Sequence, residues 1–242
     1  MQEIDRTLLP NVNLPVLWAD ETSNTIYSYG GDSIGTNSSY AKSKQLFKFS
    51  PSSSSTDAAA AGSVGTWSTA QPADAFTFSQ LYTPSRSAST ACNGVGYSLG
   101  GYGTGNTDDR FAGGDNNLPL PGLVTYNFAT RAWSNGSIAD AFSGPSTPGG
   151  IRGYFPTNGA AVCLPDLGEA GVLMFLGGAG ISANGRASVP VPLDDVLLYD
   201  VARRKWIWQG TQGGDGGDGI PPDRRDACAA LVKGKKSGTY EL

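Results

Sequence analysis

The chain has 242 residues, with 17 Lys and Arg against 21 Asp and Glu, no His and a formal net charge of −4. So sparse and slightly negative a charge argues against nucleic acid or an anionic membrane as the main partner. The missing imidazole removes mechanisms that need a histidine base or a histidine metal ligand.

Residues 1–15 read as an entry segment, and Met1 to Arg6 is charged, with no apolar leader stretch. Val16 to Ala19 and Thr25 to Gly30 are candidate strands joined by a turn at Ser23-Asn24. Gln45 to Ser50 alternates Leu46 and Lys48 with Phe47 and Phe49, the period of a strand. A Ser/Ala/Gly-rich excursion over Pro51–Gly65 precedes a fourth strand, Gly65 to Ala70, which carries Trp67. The next unit runs Ser87–Asn93, Val95–Gly101, Leu123–Phe128 and Ala132–Ser134. A third runs Asn158–Leu164, Gly171–Gly178, Val196–Val201 and Lys205–Gln209. A fourth opens at Ala227–Val232 and stops at Leu242. Short β-branched and aromatic bursts between turn residues predict an all-β chain. No run of 18 apolar residues occurs, so no helical membrane span is expected.

The units repeat one pattern. A glycine pair closes the second strand at Gly30-Gly31, Gly100-Gly101 and Gly177-Gly178. An aromatic and a Trp follow it: Phe47 and Trp67, Tyr126 and Trp133, Tyr199 and Trp206. Trp67 and Trp133 lie 66 residues apart, as do Ala73-Asp74-Ala75-Phe76 and Ala139-Asp140-Ala141-Phe142. Cys92, Cys163 and Cys228 each sit on the first strand of a unit. They allow one disulfide and a spare thiol, but their matching places favour three buried thiols packed as small hydrophobes.

Four strands, a Gly-Gly step and a Tyr-x6-Trp pair resemble the kelch motif, whose period is about 50 residues. The resemblance covers nearly all of residues 16–242, with units at about 16–71, 87–136, 157–210 and an incomplete 226–242. The first unit departs from it, with Phe47 for Tyr and a long insert before Trp67. Val191 to Asp200 and Pro222 to Cys228 look like the kelch-type propeller proteins of filamentous fungi. The resemblance implies a β-propeller with about three four-stranded blades and the start of a fourth. It also implies secretion or a cell-surface anchor outside this stretch, with a cytoplasmic scaffold as the alternative. A ring of 4–8 blades cannot close on three, so a piece of a longer protein is expected. In such a fold glycine pairs allow close backbone approach, and Tyr and Trp fill the gap between sheets with their polar edges bonded.

Antiparallel order puts the long connections on one face: 32–44, 68–85, 102–122, 134–156, 179–193 and 210–223. Long loops are usually functional or disordered, so this face is the expected binding face. Its best-equipped clusters are Tyr102, Asp108, Asp109, Arg110 and Phe111, then Arg152, Tyr154 and Phe155. Aromatic rings with Asp and Arg suit a sugar. The expected role is recognition of an unknown protein or glycan, without cofactor, metal or nucleic acid. The alternative is a carbohydrate-active enzyme using loop aspartates, with other groups supplied by further blades. Kelch-type propellers include a copper oxidase of galactose, but that site needs histidine. The stretch Gly214–Gly219 fits G-x-G-x-x-G, yet Pro221-Pro222 follows where a helix should start. Sequons at Asn37 and Asn135 are candidate glycosylation sites.

Overall fold

A computed structural model describes residues 12–33, 44–51, 65–111, 117–143, 148, 151–213, 219–234 and 239–242. Asn37, most of the Pro51–Gly65 excursion and residues 214–218 lie outside the described residues.

The fold is all-β. Three four-stranded sheets follow the chain, each an antiparallel meander. The first comprises Val16–Asp20, Thr25–Tyr29, Leu46–Pro51 and Gly65–Ala70. The second comprises Ala88–Cys92, Val95–Leu99, Leu123–Asn127 and Trp133–Gly136. The third comprises Ala160–Leu164, Val172–Leu176, Asp195–Asp200 and Lys205–Gly210. Their first strands lie side by side in sequence order, so the sheets fan out in a propeller-like arrangement. The long connections carry small sheets of their own. Asp32–Ser33 pairs with Val12–Asn13, so the entry segment belongs to the first unit. Likewise Ala179–Ile181 pairs with Phe155–Thr157 and with Ser188–Pro190.

The glycine pairs join one unit to the next. Gly31, Gly101 and Gly178 donate their N–H to the carbonyls of Pro84, Pro156 and Arg224, at 2.8, 2.8 and 2.7 Å. Pro84 and Pro156 sit just ahead of the following unit's first strand, and Arg224 holds the matching place ahead of residues 227–231. Gly100 has φ +62°, and a Cβ there would sit on the Pro156 carbonyl oxygen. Gly94, in a hairpin turn, has φ +80° but open space where its Cβ would be. Gly94→Ala is therefore expected to cost about 1 kcal/mol, the ordinary penalty of left-handed backbone. Gly100→Ala should cost roughly 3 kcal/mol, because a backbone collision adds to that strain. Urea unfolding of the two variants checks this, and equal losses would overturn it.

Aromatics fill the gap between the first two sheets: Trp18, Tyr27, Tyr29, Phe78, Tyr126, Phe128 and Trp133. Aliphatic residues such as Leu99, Leu173 and Leu197 fill the next gap, with Tyr199, Trp206 and Trp208 against them. The expected bonding of the polar edges holds only in part. Trp206 Nε1 donates to Ser137 O, but Tyr126 Oη and Trp133 Nε1 are buried with no hydrogen-bond partner among the described residues.

Four expectations need correction. The residue opposite Trp67 is Phe49, not Phe47, matching Tyr126 opposite Trp133 and Tyr199 opposite Trp206. The 66-residue echo matches at Trp67 and Trp133 but not at Ala73–Phe76 and Ala139–Phe142. Asp74 caps the short helix Ala75–Gln80 from outside, whereas Asp140 lies inside the helix Ala139–Phe142. Consequently Phe76 is 74% exposed while Phe142 is buried. Nor are there three buried thiols: Cys92 and Cys163 form a disulfide and Cys228 is free and exposed. The adjacent first strands bring the pair to a Cα–Cα distance of 5.5 Å. Finally, Ala227–Leu231 forms no strand, and Val232–Lys233 pairs only with Tyr240–Glu241.

Candidate functional site

One backbone device recurs two residues ahead of each unit's first-strand position. Leu14, Arg86, Asn158 and Asp226 all adopt left-handed φ, at 53°, 56°, 60° and 54°. Their backbones form a relay around the centre. Arg86 N donates to Leu14 O at 3.5 Å, Asn158 N to Arg86 O at 2.7 Å, and Asp226 N to Asn158 O at 2.9 Å. Asn and Asp tolerate this conformation better than most side chains.

The relay brings three polar side chains from three units together. Asn158 Nδ2 donates to Asp226 Oδ1 at 2.6 Å, and Arg86 Nη1 lies 3.3 Å from Asp226 Oδ2. Beside them opens a cavity of about 400 Å3 on the long-loop face, lined also by Arg186, Ser188 and Arg225. Arg225 Nη1 donates to Ser188 Oγ at 3.3 Å. Arg186 stands on a tight turn, which Ser182 closes by taking the Ala187 N–H on its side chain. Three guanidinium groups thus share the cavity with one carboxylate. Among the described residues, Arg186 and Arg225 have no carboxylate within ion-pair distance.

Other openings lie among the described residues. A groove of about 750 Å3 follows the first strands at the short-turn end, lined mainly by strand residues such as Ala91, Cys92, Ala161 and Cys163. An apolar gap of about 20 Å3 between the second and third sheets is too small for a ligand.

The predicted binding residues are dispersed over three places. Tyr102 lines the cavity but is 7% exposed. Its hydroxyl donates to Asp32 at 3.2 Å, and the Arg86 guanidinium lies 5.8 Å over its ring. Burial, then the charge of Asp32, raises the Tyr102 phenol pKa. Asp108, Arg110 and Phe111 are built into the loop between the first two sheets. Asp108 is buried and accepts from Thr83 N, Thr83 Oγ1 and Arg110, whose Nη2 lies at 2.5 Å. Burial pushes the Asp108 carboxyl up, but the Arg110 hydrogen bonds outweigh it and hold the pKa below the ordinary value. Arg110 also covers Tyr82 at 4.1 Å, and the Tyr82 ring tilts against Phe111 at 4.9 Å. The same network buries Lys44, bringing its ammonium pKa down to about 8, with Arg110 adding repulsion. Asp109 and Arg152 are exposed. Tyr154 and Phe155 line a third hollow, of about 450 Å3, together with Asn135.

Sequence reasoning missed Arg86, Asn158, Arg186, Ser188, Arg225 and Asp226. A signal existed for three of them: Arg86, Asn158 and Asp226 recur at spacings of 72 and 68, just ahead of each first-strand position.

No family model matches the sequence, and no curated protein matches it. Among solved structures, one titled "Structure of YjhT" aligns at 14% identity with a TM-score of 0.47. The alignment covers 86% of this chain and 54% of that one, so the chain spans about half the length of that structure.

Proposed function

We propose that this chain is part of a kelch-type β-propeller that works as a binding module, taking a polar ligand of saccharide size on its long-loop face. The observation that carries this reading is the cavity on that face, where Arg86, Asn158 and Asp226 from three successive units meet. The glycine clamps and the cross-strand aromatic–Trp pairs support the kelch reading. The disulfide supports a secreted or cell-surface location, since such bonds persist in oxidising compartments.

Asp108 is buried and bonded to Thr83 and Arg110, a poor placement for a general acid in hydrolysis. A general acid needs a carboxyl with a raised pKa, and that of Asp108 is lowered by its own loop. The test is a glycan array probed with the folded chain, beside an Arg225→Ala variant. Saccharide hits lost in the variant are expected. Hits indifferent to Arg225, or none on folded protein, would sink the reading and shift weight to a protein partner.

A further inference from the structure

Resting on that reading, we infer that the cavity selects a hydroxylated carboxylate, a uronate-type sugar acid, over neutral sugars. Its charge is unbalanced. Asp226 neutralises Arg86, while Arg225 has the neutral Ser188 as partner and Arg186 has no carboxylate within ion-pair distance among the described residues. A guanidinium binds a carboxylate through paired, charge-assisted hydrogen bonds. Two of them lining one cavity give an anion more stabilisation than a hydroxyl can draw from them.

Asp226, which lines the same cavity, sets the second requirement. Asp226 has about four acceptor sites and uses three, on Asn158 and Arg86. With its side chain 45% exposed, the remaining acceptor is open to a donor. A sugar hydroxyl supplies one, and a second carboxylate would be repelled. The ligand that satisfies both requirements carries one carboxylate and several hydroxyls. Its stacking surface is not required, because Tyr102 is covered by Arg86 and buried.

The experiment is isothermal titration of the whole chain with D-galacturonate, D-galactose, N-acetyl-aspartate and sodium sulfate at low and high salt. The expected result is that galacturonate binds at least tenfold more tightly than galactose and weakens as salt rises. Arg225→Ala and Arg186→Ala should each lower galacturonate affinity about tenfold and leave the thermal midpoint unchanged. Arg203→Ala, which removes an equal charge paired to Asp200 elsewhere, should change nothing. Equal affinity for galactose and galacturonate, both sensitive to Arg225, would overturn the acid preference while sparing the saccharide reading. N-acetyl-aspartate or sulfate binding as tightly as galacturonate would also overturn it. No binding of any probe by folded protein would remove both.

Discussion

Trp18→Ala is expected to lower the stability of the fold by about 4–5 kcal/mol, near the top of the range for a buried Trp. Trp18 is 1% exposed and lies where three elements meet. Its ring stacks on Tyr29 and Tyr126 at 6.4 and 6.1 Å and tilts against Trp133 at 5.9 Å. It reaches across to the second sheet, where Nε1 donates to Tyr97 O at 2.9 Å. Gly96 makes room for it, since a Cβ there would run into the indole. Truncation therefore opens a large cavity, removes three ring contacts and takes a donor from a buried carbonyl. Trp18→Phe keeps the stack and loses the hydrogen bond, so it should lose about 1–2 kcal/mol plus the smaller ring's burial. Trp67, half-buried and in ring contact with Phe49 at 5.2 Å, is the control and should lose less than half as much as Trp18 on change to Ala. Urea midpoints at constant slope measure all three. Equal losses for Trp18 and Trp67 would mean that the first sheet is not clamped through Trp18.

Much of this fold was legible because its strands are short and their punctuation is strong. The twelve predicted strands of the three complete units fall within a residue or two of those observed. Period-2 alternation and Gly or Asn turns carry that information locally. Register across strands is not local: Phe47 and Phe49 lie on the same strand, and only pairing to Trp67 singles out Phe49. The cysteines failed for a related reason. Counted from the left-handed residue ahead of each first-strand position, Cys92 is six along, Cys163 five and Cys228 two. They were never equivalent, and the first two meet because neighbouring strands are offset. The site was the least legible part. Arg110 and Asp108 looked available in the sequence, yet they satisfy each other and the Tyr82–Phe111 loop. Arg86, Asn158 and Asp226 looked like turn residues, and their value comes from a relay that joins three units.

Reducing the Cys92–Cys163 bond should lower stability by about 4 kcal/mol, the chain-entropy expectation for a cross-link of this length. The two cysteines are 71 residues apart, so the bond closes a long loop of the unfolded chain. It also acts where the backbone relay does not. The relay ties the units at the long-loop end, through Arg86, Asn158 and Asp226. The disulfide ties the second and third sheets toward the short-turn end, where the open groove leaves the first strands uncovered on one side. Loss of the bond should therefore loosen that end first. Hydrogen exchange at Ala91 and Val162 should rise before exchange at Asn158 does. The double variant Cys92→Ala, Cys163→Ala should match the reduced wild type in urea. The oxidised, folded chain should show one reactive thiol, from the exposed Cys228, and three after reduction and unfolding. An unmoved urea midpoint on reduction would mean that sheet packing alone fixes the first strands. The disulfide would then lose its weight as support for an oxidising compartment, since a bond that adds no stability gives no reason to need one.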